Sequence, residues 1–202
     1  MNGSAVIDVA GLPTHVSRTR APMWWGMVML LAIESTVFGT LIVTYFYLAM
    51  GEPRWPPAGI EPPELLLPTI NTGILLVSSL PMHLADQGVA AGNQRRLRWG
   101  LIAALALAVL FLVLKAIEYS AVPYAWDEHA YASIVWLIVG FHSAHVLALV
   151  LKTVVIALFA WRGLFNPQRS LGVQVNGLYW HFVVLVWLPL YVVLYWAPRA
   201  MV

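Results

Sequence analysis

Cysteine is absent from the 202 residues. The chain can therefore build no disulfide, no thiolate zinc site and no iron–sulfur cluster, and thiols say nothing of its redox compartment. Charge is nearly as scarce. Only 10% of the residues are Asp, Glu, Lys or Arg, where a soluble domain carries about a quarter. A net charge of +2 and a pI near 9.0 leave no basic stripe for nucleic acid, and arginines that set membrane topology account for both. Phosphate-binding glycine loops, serine nucleophile elbows and HExxH zinc motifs are all missing. Internal repeats are missing too. Residues 1–22 have no signal-peptide core and end in VSRTRAP, so the first hydrophobic segment is expected to act as an uncleaved insertion signal.

What the chain has in quantity is apolar surface: 61% of it is hydrophobic and the mean hydropathy is +0.79. Five segments, Trp24–Met50, Leu66–Leu84, Trp99–Ser120, Tyr131–Trp161 and Val175–Ala197, each approach or exceed the ~20 residues that span a bilayer. The expected fold is all-α: an integral membrane bundle of five transmembrane helices over residues 23–202, after a cytoplasmic segment at 1–22. Arg18, Arg20, Arg95, Arg96, Arg98, Arg162 and Arg169 fall on one set of loops. The other set holds Glu52, Glu61, Glu64, Asp127 and Glu128, with Arg54 its one basic residue. The positive-inside rule then places the amino terminus in the cytoplasm and the carboxyl terminus outside. Trp24, Trp25, Trp55, Tyr124, Trp126, Trp161, Trp180 and Trp196 lie near span ends, as an interfacial aromatic belt requires.

Within the spans, polar residues are few. Glu34 lies about ten residues, or ~15 Å, from the cytoplasmic end of the first segment. A carboxylate there costs roughly 2.5–3.5 kcal/mol to insert, and the helix offers it no basic partner. It is expected to be neutral or hydrogen-bonded to another helix. Glu118 has Lys115 one turn before it on the same face, so the two can neutralise one another. His142 and His145 stand three apart in the fourth segment and His181 lies in the fifth. Histidines on facing helices can ligate haem, as in a b-type cytochrome, or can simply link helices by hydrogen bonds. A small transporter built around Glu34 would need paired broken helices or a repeat.

Six stretches carry a resemblance: GMVMLLAIESTVFG, WPPAGIEP, LPTINTGILLVSS, LKAIEY, GFHSAHV and YWHFVVLVWLPLYVVLYW. Together, and in this order, they resemble subunit III of haem–copper cytochrome c oxidase over nearly everything after residue 20. The resemblance implies a non-redox accessory subunit of a proton-pumping terminal oxidase that reduces dioxygen to water. It implies packing against subunit I, with haem and copper held by subunits I and II and none by this chain. Glu34 would be the buried, carbodiimide-reactive carboxyl beside a lipid-filled cleft, with no catalytic residue and no metal site in the chain. Structural phospholipids are implied as ligands, with His15, Arg18, Arg20, Trp24 and Trp25 as headgroup candidates. Lys115, Glu118, His142, His145 and His181 are the intramembrane polar contacts. Subunits I and II, membrane phospholipids and a respiratory supercomplex are the implied partners, and a prokaryotic cytoplasmic membrane the location. Third subunits of quinol oxidases and relatives accompanying nitric oxide reductases are similar, so the electron donor stays open. Against the seven-helix mitochondrial form, this chain begins at the third helix, and Lys115 stands where glutamine is common. Pro189 replaces an aromatic residue and is expected to disturb the last helix.

Overall fold

The computed structural model describes residues 22–201, all of whose regular structure is helical. His15, Arg18 and Arg20 lie outside the described residues. Helix α1 spans Pro22–Met50, α2 Leu66–Val77, α3 Ser79–Ala90, α4 Gln94–Ser120, α5 Ala130–Trp161 and α6 Leu171–Tyr191. A π-turn, Val192–Trp196, and a short helix α7, Ala197–Ala200, continue α6. The helices α1, α4, α5 and α6 with its continuation are long and apolar enough to cross a membrane.

Local chemistry sets the element ends. Pro22 opens α1, where its missing N–H costs nothing. Asn93 caps α4 by accepting from the Arg96 amide at 3.0 Å, and His129 caps α5 by accepting at Nδ1 from the Ala132 amide at 2.9 Å. At the far end of α5, Arg98 donates to the carbonyls of Ala160 and Trp161 at 3.1 and 3.3 Å, satisfying orphan acceptors where a cation is favoured.

The segment expected as one helix over Leu66–Leu84 is instead two helices of twelve residues each, joined at Ser78 and reaching Ala90. Pro81 explains the joint: it has no N–H to give the Val77 carbonyl, so the α-helical ladder cannot run through. The break is put to use. Ser78 Oγ accepts from Trp180 Nε1 on α6 at 3.0 Å. Pro189 acts similarly, and the α-helical pattern of α6 gives way to the π-turn within a few residues. Two further expected boundaries move outward, α4 starting at Gln94 rather than Trp99 and α6 at Leu171 rather than Val175.

Helix α6 is the hub, packing on α1, α2, α3 and α5, while α4 packs on α2, α3 and α5. Polar links pin α6 at successive levels: Asn176 donates to Thr153 Oγ1 at 3.0 Å, and Trp187 Nε1 donates to Thr72 Oγ1 at 2.9 Å. Trp180 is fully buried, so it is a core residue and not part of the aromatic belt. Trp55 is buried as well, packed between Tyr45 and Tyr131 with ring centroids 5.5 and 5.1 Å away. It fastens loop 51–65 to the bundle, and Arg199 adds a tie to the Pro63 carbonyl at 2.5 Å.

Candidate functional site

Helices α1 and α5 meet at Glu34. Its Oε2 lies 2.7 Å from His145 Nε2, with both side chains largely shielded. On the other side of the ring, His145 Nδ1 lies 2.7 Å from the Phe141 carbonyl oxygen. A carbonyl only accepts, so Nδ1 carries a hydrogen. The remaining contact then holds a single proton: either protonated Glu34 donates to a neutral ring, or an imidazolium donates to the carboxylate. Both arrangements leave the pair with no net charge, which is what a low-dielectric setting demands. Phe38 and Phe141 enclose the imidazole, with ring centroids 5.1 and 4.5 Å from it. The partner is 111 residues away in sequence, beyond the reach of helical spacing arguments.

A second group sits toward the other end of α4. Lys115 Nζ donates to Glu118 Oε2 at 2.7 Å and to the Tyr195 hydroxyl at 3.0 Å. Tyr195 in turn donates to Glu118 Oε1, closing a ring of three. The rings of Trp187 and Tyr195 lie 4.8 and 5.3 Å from the ammonium, and those of Phe111 and Tyr119 both 5.9 Å. Lys115 is thereby 3% exposed, its charge met by one carboxylate and several π-faces. Tyr195 is the member that the LKAIEY spacing did not reveal.

His142 is buried without a hydrogen bond at either nitrogen. Its ring stacks on Trp187 at 4.6 Å and meets Phe111 edge-on at 6.0 Å, so aromatic packing alone holds it. His181 is half-buried on α6 and belongs to neither hydrogen-bonded group. With both nitrogens of His145 engaged, a haem iron would have to displace Glu34 to reach it. Trp24 is half-buried and Trp25 exposed at the start of α1. Lys152, which the sequence reading passed over, lies on α5 with its ammonium 4.5 Å from the ring of Tyr179. Among the described residues no three His, Asp or Glu side chains gather as a metal site.

Long apolar helices, joined inside by the self-neutralising groups Glu34–His145 and Lys115–Glu118–Tyr195, define a polytopic membrane protein. Sequence comparison narrows this class. A family model for cytochrome c oxidase subunit III matches residues 6–198, and the chain belongs to that family. It is 35% identical over 179 residues to cytochrome c oxidase subunit 3 of Thermostichus vulcanus, covering 86% of this chain and 87% of that protein. It is 31% identical over 191 residues to the subunit 3 of Damaliscus lunatus, covering 90% and 72%. A third relative, from Trichophyton rubrum, is 31% identical over 193 residues, covering 91% and 71%.

Proposed function

We propose that the chain is the non-redox third subunit of a terminal respiratory oxidase that reduces dioxygen to water, and that it serves the complex by supporting proton uptake and the stability of the catalytic core. Subunits I and II are its partners, and haem and copper belong to them. Five crossings suit this role: α1, the α2–α3 pair acting as one, α4, α5, and α6 with its continuation. The arginine-bearing end faces the cytoplasm of a prokaryote and the carboxyl terminus faces outward. Phospholipids fill the space beside Glu34, with Trp24 and Trp25 at headgroup level.

The observation that carries the reading is the Glu34–His145 pair. It holds one proton between two groups of opposite acid–base character, at membrane depth, and both protonation arrangements are net neutral. Such a pair can take up a proton on one side and release one on the other with no redox partner in the same chain. Glu34→Gln tests this, because the amide donates to His145 Nε2 in the carboxyl's place but cannot exchange a proton. The assembled variant should keep its haem and copper and its initial oxygen-reduction rate. It should then pump less efficiently or lose activity during turnover. Immediate and complete loss of oxygen reduction in a fully assembled, fully metallated complex would contradict the accessory role, since the residue would then lie on an obligatory catalytic path. In the same preparation a carbodiimide should label Glu34 in the wild-type chain and leave Glu34→Gln unmodified.

A further inference from the structure

At one end of the bundle a group of buried polar atoms finds no hydrogen-bond partner among the described residues. They are the hydroxyls of Tyr45 and Tyr131, the Trp55 indole Nε1 and His129 Nε2. Tyr45 and Tyr131 are fully buried and Trp55 is 2% exposed. The side chains come from separate segments: Tyr45 from near the end of α1, Trp55 from loop 51–65, and His129 and Tyr131 from the cap and first turn of α5. Their rings form one cluster. Trp55 stands edge-on to Tyr45 and Tyr131, at 87° and 84°, and the ring centroids of His129 and Tyr131 are 6.1 Å apart. The Tyr45 hydroxyl lies beside the Trp55 indole but outside hydrogen-bonding geometry.

Native interiors leave few buried polar atoms unpaired, so a group of them within one ring cluster calls for a ligand. The hydrogen inventory identifies its chemistry. His129 Nδ1 accepts from the Ala132 amide, so it carries no hydrogen, the ring is neutral and its hydrogen sits on Nε2. Trp55 Nε1 is likewise only a donor, whereas each tyrosine hydroxyl donates or accepts. No member of the group is a cation, so a buried anion here would go uncompensated. A metal ion would meet no anionic ligand and no free imidazole lone pair. What suits two obligate donors and two hydroxyls is a neutral molecule that accepts and donates at once. Water does so, and a buried water takes two to four such partners.

We propose that Tyr45, Trp55, Tyr131 and His129 enclose a buried water site, whose water accepts from Trp55 and His129 and donates to the tyrosine hydroxyls. The site joins the end of α1, loop 51–65 and the start of α5 through hydrogen bonds that no two of these side chains make directly. Loop 51–65 is thereby held by bonding as well as by the packing of the Trp55 ring.

The test begins with the wild-type full chain in its native membrane, exposed to a brief X-ray pulse that converts bound water to hydroxyl radical where it sits. Tyr45 and Tyr131 should gain oxygen despite their burial. Trp180 is the control: it is equally buried, its N–H is taken by Ser78, and indole reacts with hydroxyl radical at least as readily as phenol. It should stay unmodified. A second measurement uses the purified full chain with isotope-labelled tryptophan, the Trp55 indole proton being assigned by its loss in Trp55→Phe. That proton should receive magnetisation from a long-lived water. Tyr131→Phe should shift its resonance, although the aromatic ring is kept and the two residues share no bond. Tyrosines modified no more than Trp180 would overturn the proposal. So would an indole proton that receives nothing from water and shifts with Tyr45→Phe alone, the mark of a direct Trp55–Tyr45 bond.

Discussion

Glu118→Leu should destabilise the protein by about 3–5 kcal/mol, the cost of leaving a buried ion without its partner. The carboxylate makes two of the three contacts in its ring, one to Lys115 and one to Tyr195. Without it the ammonium, 3% exposed, keeps a single hydroxyl and the surrounding π-faces. The damage should not stay local. Trp187 lies 4.8 Å from Lys115 Nζ and also stacks on His142 and donates to Thr72, so a displaced lysine disturbs contacts of α2, α5 and α6 together. Lys115→Met in the same background should recover much of the loss, because replacing a whole buried pair with apolar side chains is often neutral. Tyr195→Phe removes one hydroxyl and should cost about 1 kcal/mol. Unfolding of the purified chain in detergent, run as a double-mutant cycle on residues 115 and 118, gives the coupling directly. Additive costs would mean that each residue answers to a different partner.

That group also marks where sequence reasoning stops. Residues 115 and 118 are one turn apart, so their meeting on a single helix face follows from helical spacing. Tyr195 is 80 residues from Lys115, and only packing of α6 against α4 delivers it. Glu34 and His145 follow the same rule. Each was visible as an expensive residue inside a span, but that they meet is a property of how α1 lies on α5. The all-α class and the long apolar helices are legible because hydrophobic length needs no tertiary information. The joint at Ser78 had a readable cause in Pro81, but it fell inside a segment that is apolar on average. Hydropathy reports the average and ignores the missing N–H. Trp180 misled in the opposite sense: its position near a span end suited an interfacial role, whereas its N–H finds Ser78 in the core.

The polar groups share a pattern. Apolar side chains cannot drive helices together in lipid, since lipid tails are equally apolar, so close packing and interhelical hydrogen bonds carry the association. Here the bonds are distributed along the whole of α6, from Asn176–Thr153 through Trp180–Ser78 and Trp187–Thr72 to Thr69–Tyr191, where the oxygens are 2.6 Å apart. Close packing is concentrated between α3 and α4.

Gly100→Leu should therefore prevent that packing, with a loss of at least about 3 kcal/mol, the upper end of the overpacking range. A Cβ at position 100 would stand 2.7 Å from the Pro81 carbonyl oxygen, 2.8 Å from the Ala85 nitrogen and 2.9 Å from Ala85 Cβ. Two of those three atoms are backbone, so no rotamer change relieves the contact and the helices must part. Even Gly100→Ala should destabilise. The same approach recurs one turn away, where a Cβ on Gly88 of α3 would lie 2.6 Å from the Leu97 nitrogen of α4, so opening the pair at one level strains it at the next. Gly140→Ala on α5 is the control, with no heavy atom within 4 Å of the added carbon. Helix propensity favours alanine over glycine by about 1 kcal/mol, so that change should be neutral or stabilising. One chemical substitution thus has opposite expected signs at two helical glycines of one bundle. Unfolding in detergent, together with accumulation in the membrane, reads the difference. Equal stability of Gly100→Ala and Gly140→Ala would mean that α3 and α4 are not held backbone to backbone, and the packing that positions Ser78 for Trp180 would need another cause.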